Sequence, residues 1–172
     1  MSHEQQVEQI KSALGTAVVA VEFDSAACPI VWAKRENVIQ VLSYLKEGIG
    51  CEYRFMADLT AYDEQGSSEE SKSRFVVVYN LFSPQSKLRI RVKVRLQENE
   101  ALATASELWP AANWAEREVF DMFGIRFDGH PDLRRILMDI RWEGHPLRKD
   151  YPLRRYQLFN DPELMPEHLL KD

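Results

Sequence analysis

The sequence predicts an α+β fold. It reads as a two-layer αββαβββ mixed sheet with helices on one face, followed by a helix and an extended C-terminal arm. Three observations predict it. Stretches with helical spacing of apolar residues alternate with β-branched runs in that order. KLRIRVKVRL, residues 87–96, alternates strictly between apolar and basic side chains, as a half-buried strand does. From residue 129 onward the periodicity stops, and five of the eight prolines fall there. The α+β domain is therefore placed at residues 1–128 and an interaction arm at 129–172.

Each element has its own signal. Val7, Ile10 and Leu14 recur at helical spacing over residues 3–14. AVVAVEF, residues 17–23, and residues 29–33 read as strands. RENVIQVLSYLKEG puts Val38, Val41, Leu42 and Leu45 on one stripe, with Gly48 placed as a helix C-terminal cap. In EYRFMADLTAYD, Tyr53, Phe55, Ala57, Leu59 and Ala61 alternate to one side. RFVVVYNLF is apolar almost throughout, which predicts a central strand covered on both faces. Between them DEQGSSEESKS, residues 63–73, is polar and lacks an apolar anchor, so it reads as a mobile hairpin loop. In residues 87–96 the cations share one face. They are expected to keep a solvated sheet face soluble; the other reading is a docking face for an acidic partner. Pro110 opens a helix through Phe123 that Gly124 ends.

Composition narrows the function classes. The 172 residues are 45% hydrophobic and 28% charged, and the net charge is −5. A general affinity for nucleic acid is not expected of such a chain. No apolar run approaches the roughly 20 residues that span a bilayer. The N-terminus has neither secretory nor transit character, which predicts a chain kept in a bacterial cytoplasm. Cys28 and Cys51 form no Cys-x-x-Cys pair, so two reduced thiols are expected, with no cluster or zinc ribbon.

The chemistry-bearing residues concentrate after residue 115. On the predicted helix, Ala115, Val119, Met122 and Phe123 share an apolar arc, with Arg117 and Asp121 opposite and Glu118 at the edge. Glu116 lies beside Phe120 and Phe123, on the margin of the apolar side. A raised pKa there would point to catalysis, and a fixed ion pair to architecture. The arginines downstream, Arg134 and Arg135, favour the ion pair. Gly-His-Pro occurs twice, at 129–131 and 144–146. No cysteine lies near His130 or His145, and no nucleophile motif accompanies them, so metal and hydrolytic sites are poorly supported. Binding of phosphate by Arg134, Arg135, Arg148 and Lys149 is physically reasonable. The favoured reading is structural: glycine permits a sharp turn, proline fixes its exit, and imidazole hydrogen-bonds at the corner. Residues 134–155 carry seven basic and three acidic residues, so the arm is expected to dock chiefly on a partner through Leu133, Ile136, Leu137, Trp142 and Leu147.

WAEREVFDMFGIRFDGHPDLRRILM, followed by WEGHPLRKDYPL, resembles the thirty-kilodalton subunit family of respiratory complex I. The resemblance rests on Glu116, Arg117, Glu118, Asp121, Phe123-Gly124, Gly129-His130-Pro131, Leu133 and Arg134. It continues through Gly144-His145-Pro146-Leu147-Arg148-Lys149-Asp150-Tyr151. This resemblance covers about a quarter of the chain and implies a peripheral-arm subunit of a proton-pumping NADH:quinone oxidoreductase. It implies no flavin, cluster or quinone on this chain; FMN and iron–sulfur clusters belong to partner subunits. The implied partners are subunits D, B and I, on the cytoplasmic side of the bacterial inner membrane. The motif residues, with Arg135, are then interface and fold groups and not catalytic ones. Equivalent subunits of membrane-bound hydrogenases, F420H2 dehydrogenases or the photosynthetic NDH complex are the alternatives within the resemblance. A stand-alone nucleic-acid-binding module is the alternative outside it.

Overall fold

In the computed structural model, residues 3–48, 52–66, 73–154 and 157 are described. The elements in chain order are α1 (His3–Leu14), β1 (Val18–Phe23), β2 (Pro29–Ala33), α2 (Val38–Ser43), β3 (Phe55–Asp63), β4 (Phe75–Ser83), β5 (Leu88–Leu96), β6 (Ala101–Ala103), α3 (Pro110–Phe123) and β7 (Arg126–Asp128). Five strands form one mixed sheet in the order β1-β2-β5-β4-β3. The β2–β5 pair is parallel, and the other pairs are antiparallel. The α2 connection between β2 and the β3–β4–β5 meander makes that parallel pairing possible, because a parallel pair needs a crossover. The α+β prediction therefore holds, with its helices on one sheet face.

The core lies between that face and the helices. Ile10 and Leu14 of α1, Val38, Val41 and Leu42 of α2, and Val119, Met122 and Phe123 of α3 all enter it. They meet Val31, Leu59, Val77, Tyr79, Val92 and Val94 from the strands. Burial of this apolar surface, at about 25 cal/mol per Å² removed from water, is the main driving force for the fold. The phenol of Tyr53 donates to Gln6 Oε1 at 2.8 Å, which satisfies a glutamine with no exposed surface.

The structure differs from the sequence reading at three places in the domain. Phe55 does not share a face with Tyr53 and Leu59. It is 55% exposed, and Met56 is buried instead. A bulge between Met56 and Asp58 resets the alternation, which a strict period of two cannot anticipate. Gly48 is not a left-handed cap. It is the last residue of a wide π turn, Tyr44–Gly48, that continues α2. A Cβ there would lie 2.7 Å from Tyr44 Cδ2, so glycine makes room for the tyrosine ring. A two-stranded parallel sheet of β6 and β7 was not legible in such short segments. Residues 67–72 of the predicted loop, and Cys51, lie outside the described residues; Cys28 is a free, half-buried thiol.

Candidate interface site: a helix clasped by its own arm

The α3 helix begins at Trp109, whose extended backbone hands over to Pro110 at the first helical position. It stops at Gly124, held in the left-handed conformation at φ 76°. Two carboxylates on this helix, Glu116 and Asp121, have no exposed surface. Each holds a different loop.

Asp121 is the anchor of the arm. Its Oδ2 accepts the consecutive backbone amides of Ile136, Leu137 and Met138 at 3.0, 2.8 and 2.8 Å. Its Oδ1 accepts Arg135 Nη1 at 2.6 Å. Burial alone would raise the pKa of this carboxyl. The amide of Met138, the guanidinium of Arg135 and the other two amides outweigh it and hold the group below its ordinary value. One turn earlier on the helix, Arg117 donates to the carbonyls of Arg134 and Arg135 at 3.1 and 3.2 Å. The polar face of α3 thus reads the arm's backbone, amides with one side chain and carbonyls with the other.

The second Gly-His-Pro turn closes the C-terminus of the same helix. The last carbonyls of a helix have no intrahelical partner and need donors. Here Gly124 N donates to Phe120 O at 2.8 Å, and Leu147 N to Met122 O at 3.0 Å. His145 Nδ1 lies 3.0 Å from Asp121 O, and Arg148 Nε donates to Phe123 O at 2.6 Å. Cationic and polar donors also complement the negative end of the helix dipole. Burial, with Arg148 and Arg135 nearby, lowers the His145 pKa, which favours a neutral ring donating through Nδ1. Arg135 Nη2 reaches Gly144 O at 3.0 Å, so one guanidinium joins Asp121 to this turn.

Gly124 sits beneath it with no room to spare. A Cβ there would lie 2.5 Å from Arg148 Nη2 and 2.6 Å from His145 Cδ2. Gly124→Ala is therefore expected to combine left-handed backbone strain with displacement of the turn, at a cost of roughly 1–3 kcal/mol. Thermal denaturation of the purified chain checks this. An unchanged midpoint would show that the turn does not depend on this close approach.

The first Gly-His-Pro turn is built differently. His130 accepts the Asp132 amide at Nδ1 and lies 3.0 Å from Asn113 O through Nε2, so Nε2 is the donor. Its ring is fully buried and 3.9 Å from Glu116 Oε2. Pro131 and Glu118 are exposed. Arg134 pairs with Asp132 in a solvent-facing fork at 2.6 and 2.8 Å.

The expected Glu116–arginine ion pair is not present. Glu116 Oε1 accepts the Ala105 amide at 2.7 Å, and Oε2 accepts Thr104 Oγ1 at 2.5 Å. Arg135, the expected partner, is taken by Asp121. Burial pushes the Glu116 pKa up to about 7; the bonds from Thr104 and Ala105 oppose the rise without cancelling it. The phenol of Tyr79 is also buried and has no hydrogen-bond partner among the described residues. Burial, and after it the charge of Glu116, holds that phenol well above its ordinary pKa.

The rest of the motif ties the arm to the sheet. Lys149 N donates to Asp63 Oδ2 at 3.0 Å and its Nζ to Gln65 O at 3.0 Å. Asp150 accepts Arg74 Nη2 at 2.6 Å, and Arg74 also reaches Glu98 at 2.6 Å. Arg148 lies over the Phe75 ring at 5.2 Å. Tyr151 stacks on Trp142 at 6.4 Å, while Pro146 is half-buried beside the turn. The arm between 129 and 151 therefore folds back on its own domain, which corrects the expectation that it docks chiefly on a partner. Backbone groups, which carry no sequence signal, make most of these bonds. Leu133 packs on the domain core, while Leu137 and Leu147 are 61% and 55% exposed. The sequence reading missed Thr104, Asn113, Asp63, Arg74 and Glu98, because nothing near them in the chain announces their distant partners. Among the described residues, no three histidine, cysteine or carboxylate side chains cluster as a metal site.

Fold and clasp together define an α+β domain whose last helix is closed by the chain's own C-terminal segment. A family model described as "Respiratory-chain NADH dehydrogenase, 30 Kd subunit" matches residues 31–157, and the chain belongs to this family. It is 45% identical to the C subunit of NADH-quinone oxidoreductase from Trichlorobacter lovleyi over 148 residues, 86% of this chain and 88% of that one. It is 46% identical over 134 residues to the fused C/D protein of NADH-quinone oxidoreductase from Nitrosospira multiformis, matching 76% of this chain and 22% of that longer one. Among solved structures, it superposes with a TM-score of 0.65 on the trypsin-resistant fragment (1-134) of Nqo5. That pair is 32% identical over 74% of this chain and 99% of the other.

Proposed function

We propose that this chain is a peripheral-arm subunit of a proton-translocating NADH:quinone oxidoreductase, on the cytoplasmic side of the bacterial inner membrane. It serves as a scaffold, with FMN, iron–sulfur clusters, NADH and quinone held by other subunits. Subunits D, B and I are the expected neighbours. The observation that carries the reading is the clasp. Four motif side chains with chemistry to offer, Glu116, Asp121, His130 and His145, are engaged with the chain's own backbone or hydroxyl groups. Groups so engaged hold the loops that pack on α3, which supports a positioning role for these four side chains. Homology to C subunits of NADH-quinone oxidoreductases supports the complex, and the fused C/D relative supports proximity to the D partner. No helix among the described residues is long and apolar enough to cross a membrane, which accords with attachment through partners.

Isolation of the tagged chain from membranes, with mass spectrometry of what accompanies it, tests the assignment. Subunits B, D and I are expected. A hydrogenase large subunit in their place would assign the chain to a related complex. The purified chain is further expected to hold no stoichiometric iron, zinc or flavin. About one metal per chain by elemental analysis, lost on changing His130 and His145, would contradict the scaffold role.

A further inference from the structure

The sheet face opposite the helices is roofed, among the described residues, by no other element. The strand register sets its rows. Glu22, Ile30, Arg91, Asn80 and Asp58 lie side by side, and Ala20, Trp32, Lys93, Val78 and Thr60 form the next row. Beyond them Arg95 faces Val76, which faces Tyr62; at the other end Arg89 faces Phe82, which faces Phe55. Ile30, Trp32, Val76 and Val78 make a second apolar cluster, separate from the main core. They are at most 8% exposed, although only side chains cover them. Arg95 lies 3.9 Å from the Trp32 ring centroid, and Lys93 lies 5.1 Å from Trp32 and 5.7 Å from Tyr62. Arg89 lies 5.7 Å from the Phe82 centroid. The stems of these residues shield the apolar floor and their charges face outward.

These charges are unevenly compensated. Arg91 is paired with Asp24 at 3.4 Å and bonds Asn80 at 2.9 Å. Arg89, Lys93 and Arg95 have no carboxylate within ion-pair distance among the described residues. The nearby Glu22 accepts the Trp32 indole at 2.7 Å. A chain of net charge −5 thus concentrates three unpaired cations in one row. Alternate residues of a strand repeat at roughly 7 Å, so the row from Arg89 to Arg95 spans about 20 Å. An extended segment with an acidic residue at every second position presents carboxylates at the same repeat. Guanidinium groups bind carboxylates in two-pronged fashion, which favours Arg89 and Arg95 as the two ends of such a match. A hollow of about 290 Å³ beside Arg89, Arg91 and Phe82, and one of about 410 Å³ beside Arg95, Trp32 and Val19, flank the row.

We propose that this face docks an extended acidic segment of a partner protein, with alternating carboxylates seated on Arg89, Lys93 and Arg95. The partner is taken to be another subunit of the complex proposed above, so two failures separate cleanly. The complex is isolated from membranes, treated with a water-soluble carbodiimide and digested for mass spectrometry. Lys93 is expected to be coupled to an aspartate or glutamate of another subunit, and to react with an acylating reagent at least about tenfold more slowly than in the isolated chain. Absence of the chain from the complex would overturn the functional assignment. Presence of the chain with Lys93 equally reactive in both states would overturn the docking face, as would protection without any coupled carboxylate. In a second arm, the full-length purified chain is titrated with a fluorescent peptide alternating glutamate and threonine, about twelve residues long. Arg89→Glu with Arg95→Glu is expected to weaken binding by at least about tenfold, an effect that added salt reduces. Unchanged affinity would overturn the proposal. So would tighter binding of a single-stranded oligonucleotide of equal charge, which would assign the face to nucleic acid.

Discussion

Asp121→Ala is expected to release the C-terminal arm from the domain. The carboxylate accepts three consecutive arm amides and one guanidinium, and it has no exposed surface. Truncation leaves Arg135, whose side chain is only 15% exposed, without its counter-charge, and leaves three amides without an acceptor. Loss of one partner from such a pair costs about 3–5 kcal/mol, mostly because the other partner is left stranded. The arm has no helix or strand among its described residues, so it is expected to detach locally before the sheet unfolds. Hydrogen exchange at Ile136, Leu137 and Met138 should accelerate by on the order of 10²–10³-fold in the isolated variant. Asp121→Asn keeps one acceptor and should fall between the two. Unchanged exchange at these three amides would show that the arm is held by something other than this carboxylate.

Glu116→Gln is expected to make the chain more stable at alkaline pH and to change little in acid. The Glu116 pKa is about 7 in the folded chain, above the ordinary carboxylate value of 4.5. The folded state therefore binds the proton more tightly than the unfolded state between those values. Stability is undiminished below about pH 4.5, falls as pH rises through the window, and reaches its full loss above about pH 8. The shift corresponds to about 3 kcal/mol. Glutamine imitates the protonated acid: its oxygen can accept the Ala105 amide, and its amide can donate to Thr104 Oγ1. The difference in unfolding free energy between variant and wild type should thus grow from near zero at about pH 4 to about 3 kcal/mol at about pH 8. A difference that stays flat with pH would show that folding does not raise the Glu116 pKa.

The sheet was legible in the sequence because period-two alternation and burial on one face are the same physical fact. Residues 87–96 alternate on the page as they do in β5, where Ile90, Val92, Val94 and Leu96 are buried. The end of α3 was legible for a related reason, since Gly124 satisfies a local backbone need. The bulge at Met56 was not, because one extra residue leaves no compositional mark. The site divides in the same way. Helical spacing correctly put Asp121 opposite the apolar arc, but that face is covered, and the covering segment binds it through backbone amides. Hydrophobic patterning has no means to register such a contact. Glu116 was correctly singled out as a carboxylate in an apolar place. Its partners, Thr104 and Ala105, come from the turn after β6, a strand of three residues. The acid that takes Arg135 was not legible, because spacing along the chain does not rank two carboxylates on one helix, and Arg134 turns instead to Asp132 in its own loop.

The scaffold account is tested most directly by NADH:quinone turnover per assembled complex in membranes carrying Glu116→Gln. Assembled complex is quantified independently by immunodetection after native separation. If Glu116 only holds the turn at Thr104 and Ala105, the variant should assemble, and each complex should turn over at close to the wild-type rate. A large fall in that ratio with normal assembly would contradict the account and give this buried carboxyl a part in the complex's proton or electron chemistry.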